Sequence, residues 1–159
     1  MTDGLARAAS ALVLVAALAG CGASPPPPAH QAQAPEEAMT RVGDVLVRAN
    51  VLPTAIIGEA VAAQYGVERD PGTVMLLVGV RRDADGGETA LPARVTATAA
   101  DLLGKRQQLQ MREVRSGEFI DYVGTARVIA PDTLRFDVTA TPESGSPMEL
   151  YFNRDFFPR

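Results

Sequence analysis

From about residue 40 onward, apolar and polar positions alternate with a period of two. In Leu134-Arg135-Phe136-Asp137-Val138-Thr139 the alternation is clean, as a strand with one buried face requires. Arg94-Val95-Thr96-Ala97-Thr98-Ala99 repeats it and is rich in β-branched residues. Residues 73–80 (Thr-Val-Met-Leu-Leu-Val-Gly-Val) are apolar at successive positions, which predicts a central strand covered on both faces. Further strands are predicted over 41–50, 106–115, 118–126 and 148–156. Breakers separate them: Asp70-Pro71-Gly72, Asp83-Ala84-Asp85-Gly86-Gly87, Ser116-Gly117, Pro131-Asp132 and the stretch 142–147.

Two places depart from the alternation. Within 106–115, Leu109 and Met111 share a face, but Val114 falls one step out of register. A β-bulge near Arg112-Glu113 would return Val114 to the core side. The residues around Ser116-Gly117 predict a tight hairpin. The second departure is Glu59-Ala60-Val61-Ala62-Ala63-Gln64-Tyr65, made mostly of helix formers and closed by Gly66, a natural residue just past a helix end. The expected class is all-β with one short helix: an antiparallel Ig-like β-sandwich of seven or eight strands, with a small barrel as second choice.

The first 38 residues follow other rules. A polar start carrying Arg7 precedes an apolar segment over 8–19, interrupted only by Ser10. A dozen residues span roughly 18 Å as a helix, too short for a hydrocarbon core of about 30 Å, and right for a secretory signal. Leu18-Ala19-Gly20-Cys21 then resembles the lipobox of bacterial lipoproteins, which implies cleavage before Cys21 and lipid on its sulfur. Residues 1–20 are thus the expected signal peptide, and 21–38 the lipidated cysteine with a tether rich in Pro and Ala. Residues 39–159 are the sandwich. Pro25-Pro26-Pro27-Pro28 favours an extended polyproline tether with nothing to bury. His30 stands in this tether as a solvated residue. Gly22, with no Asp after the cysteine, favours the periplasmic face of the outer membrane by the same resemblance. The expected membrane contact is the lipid on Cys21, and no disulfide is available because Cys21 is the sole cysteine.

The stretch from Pro53 to Phe157 resembles the bacterial family named domain of unknown function 4426. The residues that carry the likeness are Pro53-Thr54, Val61-Ala62, Tyr65-Gly66-Val67, the apolar strand after Thr73 and Ala99-Ala100-Asp101-Leu102-Leu103-Gly104. Arg112-Glu113-Val114, Thr133-Leu134-Arg135-Phe136-Asp137-Val138, Phe152 and Phe156-Phe157 complete it. Gly58-Glu59-Ala60 stands where the family tends to open its helix with Thr-Pro-Glu, and Phe157 where a Tyr is usual. The resemblance implies an exported β-rich domain and supplies no activity.

The charge balance is 15 basic against 19 acidic residues, a net −4, and Lys105 is the only lysine. A mildly acidic chain without a basic tract argues against nucleic acid as a partner. With no His or Cys beyond residue 38, a Ser-His-Asp triad, a Cys-His pair and a Cys/His zinc site cannot be built. No catalytic, cofactor-binding or metal-ligating residue is predicted, no cofactor is expected, and the chain is read as a non-enzyme. Asp83, Asp85 and Glu88 could offer oxygens to Ca²⁺, but their spacing does not fit an EF-hand and reads more simply as a solvated hairpin tip. Arg106, Arg112 and Arg115 with Arg81-Arg82 are read first as solvated strand faces and second as a patch for an acidic partner. Phe157 falls on the face opposite Leu150, Phe152 and Phe156 and is the candidate partner-binding residue. The expected function is a non-catalytic binding or adaptor domain for another envelope protein. The alternative is a small-ligand-binding or carboxylate-based hydrolytic domain, which the absence of Trp and the presence of only three Tyr leave without a sugar-stacking platform.

Overall fold

The computed structural model describes residues 37–84 and 86–158. Cys21, His30, the signal peptide, the tether as far as residue 36, Asp85 and Arg159 lie outside the described residues.

Ten strands form two antiparallel sheets among the described residues. The first sheet contains β1 (Ala38–Val42), β2 (Val45–Pro53), β3 (Thr73–Ala84), β8 (Phe119–Arg127) and β7 (Arg112–Ser116) in that order, with β4 (Gly87–Ala90) pairing the tail of β3. The second runs β10 (Met148–Phe156), β9 (Asp132–Pro142), β5 (Ala93–Ala100) and β6 (Arg106–Leu109). A 3₁₀ turn, Thr54–Ile56, and helix α1, Glu59–Gln64, connect β2 to β3.

The sandwich follows from the alternation. Val95, Ala97 and Ala99 of β5 and Leu134, Phe136, Val138 and Ala140 of β9 are buried against Val74, Leu76, Val78 and Val80 of β3. Leu150 joins this core, Phe152 and Phe156 pack on it, and Phe152 stacks on Phe136 with ring centroids 5.3 Å apart. β3 is central, as its unbroken apolar run predicts. Its alternate residue Met75 joins Val123, Ile57 and Ala62 in a second cluster on the other face, beneath α1. Helix α1 begins after Gly58, which offers no side-chain cap, and ends at Gly66 with φ +52°.

The strand count exceeds the expected seven or eight because two predicted runs are divided and one further strand, β4, lies outside the predicted runs. Residues 41–50 form a hairpin, β1–β2, turning at Gly43 with φ +60°. The tail of β3 returns as β4. The run 106–115 contains no bulge: β6 pairs β5 in the second sheet, and β7 pairs β8 in the first. The chain changes sheets at Gln110-Met111. Leu109 is buried in the sandwich core, whereas Val114 packs on the second cluster, so the break in register marks a change of core.

Gly124 makes this crossing possible. A Cβ there would lie 2.5 Å from the Met111 sulfur and 3.2 Å from the Leu109 Cβ, closer than packed atoms tolerate. No helix among the described residues is long and apolar enough to cross a membrane.

Candidate functional site

Where the chain leaves β6 for β7, a cleft of about 410 Å³ opens beside β8. β8 continues past Val123, its last residue paired with β7 (opposite Arg112), through Gly124 to Arg127. At Arg127 the Gln107 carboxamide stands in for a missing strand. Its nitrogen donates to the Arg127 carbonyl at 2.8 Å, and its oxygen accepts from the Arg127 N–H at 2.8 Å. Alternation along a strand places the backbone groups of Thr125 on the same flank, toward the cleft that Thr125 lines.

The far wall comes from the end of α1 and the turn before β3. Gly66, in the left-handed region, brings the backbone under the Arg112 guanidinium, whose Nη2 would stand 3.1 Å from a Cβ at that position. Asp70 Oδ1 accepts from the Gly72 N–H at 2.8 Å, from the Thr73 hydroxyl at 3.0 Å and from Arg127 Nη1 at 3.0 Å. The fully buried Thr54 hydroxyl donates to the Asp70 carbonyl and accepts its N–H. Asp70 is therefore committed to holding the turn. Glu68, the other acid of the cleft, is exposed. Two partly or fully exposed acids, one of them already triply bonded, do not form the desolvated carboxylate pair that hydrolysis uses.

Arg106, Arg112 and Arg115 do not share a strand: the first lies in the second sheet and the others in the first. Arg81, Arg82, Arg106 and Arg115 pair with Asp121, Asp44, Asp137 and Glu113. Arg112 is the member of the five without a carboxylate partner among the described residues, and it faces the cleft. The best-enclosed ion pair, Arg81 Nη2 to Asp121 Oδ1 at 2.9 Å, continues to Tyr65, whose hydroxyl donates to Asp121 Oδ2 at 3.0 Å. Burial, reinforced by the Asp121 carboxylate, pushes the Tyr65 phenol above its ordinary value. At the acidic hairpin tip, Asp83 pairs with Arg41 and Glu88 with Arg48. Among the described residues no group of three or more His, Cys, Asp or Glu is placed to hold a metal. Lys105 closes the loop after β5, its N–H bonded to Asp101 Oδ1.

Phe157 is exposed at one end of the sandwich, beside an apolar hollow of about 280 Å³ that Pro53, Ile56, Pro71, Val128 and Phe156 help to line. The cleft residues Gln107 and Gln110 on one side and Thr125 and Arg127 on β8 escape sequence reading because the two segments that carry them are far apart in the chain. The usable signal was the displaced Val114.

A family model described as a domain of unknown function (DUF4426) matches residues 39–159. The chain belongs to that family. The DUF4426 fold recurs in a crystal structure of a family member from Pseudomonas aeruginosa, 25% identical with a TM-score of 0.66, covering 77% of this chain and 96% of that one. FetP of uropathogenic Escherichia coli, recombinantly expressed in the periplasm, matches at 11% identity and a TM-score of 0.56, over 79% of this chain and 97% of that one. A copper-bound FetP variant matches at 12% identity and 0.52, over 77% and 95%. These two share the fold with the DUF4426 domain. Among curated proteins nothing matches the chain.

Proposed function

We propose that this DUF4426 protein is an exported lipoprotein, anchored through lipid on Cys21, whose sandwich is a non-catalytic binding module for another envelope protein. The membrane reading rests on the lipobox. An origin outside the cytoplasm also accords with the fold being shared by FetP expressed in the periplasm. The observation that carries the binding role is the cleft at the sheet crossing. Among the described residues it combines a strand flank without a neighbouring strand at Thr125 with an Arg112 guanidinium that has no carboxylate partner. An extended, acidic segment of a partner satisfies both, because backbone groups pair along the strand and a carboxylate pairs with the arginine.

A photo-crosslinking residue placed at Gln110 in intact cell envelopes tests this. A discrete adduct of defined mass, lost when Arg112→Ala is added, is the expected result. If Gln110 gives no adduct and a small carboxylate ligand raises the melting temperature of the purified chain, the cleft is a small-ligand site and the adaptor reading fails.

A further inference from the structure

The ends of the strands sort the surface into two unlike poles. Pro53 of β2 lies opposite Val74, Thr73 of β3 opposite Arg127, Asp132 of β9 opposite Phe156, and Ala100 of β5 opposite Arg135. The segments following Pro53, Ala100, Arg127 and Phe156 therefore gather at one end. They carry the four most exposed large apolar side chains among the described residues: Leu103 at 95%, Ile129 at 88%, Leu102 at 75% and Phe157 at 74%. Ile56 adds a fifth, and Lys105 and Arg106 follow the leucine pair after Gly104. At the opposite end the turns carry Glu118 and Glu143, with Asp44 and Asp83 paired to Arg82 and Arg41.

We infer that this apolar end is a membrane-contacting face, with Leu102, Leu103, Ile129 and Phe157 entering the outer region of a lipid bilayer. The inference rests on the anchored reading above and names what Phe157 touches. Three features favour a bilayer over a folded partner. The four side chains project from three separate segments, the β5–β6 loop, the β8–β9 loop and the residues after β10, which suits a soft apolar layer, and none belongs to a paired strand. β1 also starts toward this side: Ala38 lies opposite Ala49, four residues short of Pro53 on β2. Residues 22–36 can span at most about 50 Å, which keeps this pole within reach of the layer that holds Cys21. Finally, Lys105, two residues beyond Leu103, stands beside the leucine pair at the level of head-group phosphates.

The absence of Trp from the chain makes the test clean. Leu103→Trp, Ile129→Trp and, at the far end, Val42→Trp are each introduced singly into the full chain. Each protein is purified with its lipid and reconstituted into phosphatidylethanolamine–phosphatidylglycerol vesicles containing brominated acyl chains. The expected result is a blue shift and at least twofold quenching for Leu103→Trp and Ile129→Trp, with Val42→Trp unquenched. Flotation of the unsubstituted chain against Cys21→Ser reports anchoring separately. A chain that floats while all three reporters stay equally wet overturns the inference and leaves the anchor intact. A blue shift without quenching means that protein covers the face, and also overturns it. If anchoring itself fails, the reporters are read on the unanchored chain at high vesicle concentration: quenching upholds the membrane face, and its absence overturns it.

Discussion

Tyr65 shows how one side chain ties the helical connection to the sheet. It closes α1 at its C-terminal end, and its hydroxyl reaches Asp121 on β8. Its phenol is raised above the ordinary value of about 10 by burial first and by Asp121 second. A raised acid of this kind holds its proton more tightly in the folded state. Its contribution to stability is present in full below the unfolded value and is lost as pH rises through the folded one. Tyr65→Phe is therefore expected to be less stable than the parent by a constant margin near neutrality, and the margin should shrink above about pH 10. Urea unfolding of both proteins across the alkaline range checks this, and a margin unchanged up to the onset of alkaline unfolding would contradict it. Fragments of this were legible beforehand. Tyr65-Gly66 was readable as a helix end, while its partner is 56 residues away in sequence and no local pattern announces it.

At the level of elements, the period-two reading located the core faces of β5, β9 and β10, and the unbroken apolar run marked β3 as central. Alternation is a local property that burial on one face imposes, so it survives without knowledge of the partner strand. It could not reveal that 106–115 serves two sheets, because a displaced apolar residue looks the same whether a strand bulges or changes core. Val114 was correctly read as out of step and wrongly explained. The cleft exists because of that crossing, so it stayed hidden for the same reason. Gly124 is the position where the crossing passes closest to β8, and Gly124→Ala would drive a methyl group toward Met111 and Leu109. Overpacking of this kind costs about 1–3 kcal/mol. Chemical denaturation should show a lower midpoint with an unchanged slope. An unchanged midpoint would mean that the crossing strand yields freely and that the cleft wall is not held by packing.

For the whole molecule, the function rests on two parts of the sequence with different physics. The sandwich supplies a rigid body with a polar cleft on one flank and apolar loop tips at one end. In the proposed role the lipobox-like residues 18–21 supply an address, and a chain held near a bilayer would meet membrane-bound partners at a raised effective concentration. Lipid on Cys21 is common to the adaptor role and to the membrane-facing end, so it is the claim to test first. The direct measurement is the mass of the N-terminal peptide of the protein purified from membranes of its expression host. The account predicts a chain that begins at Cys21 and carries diacylglycerol on its sulfur, with Cys21→Ser leaving the uncut precursor. A chain that begins elsewhere, or a Cys21 with a free thiol, would contradict it.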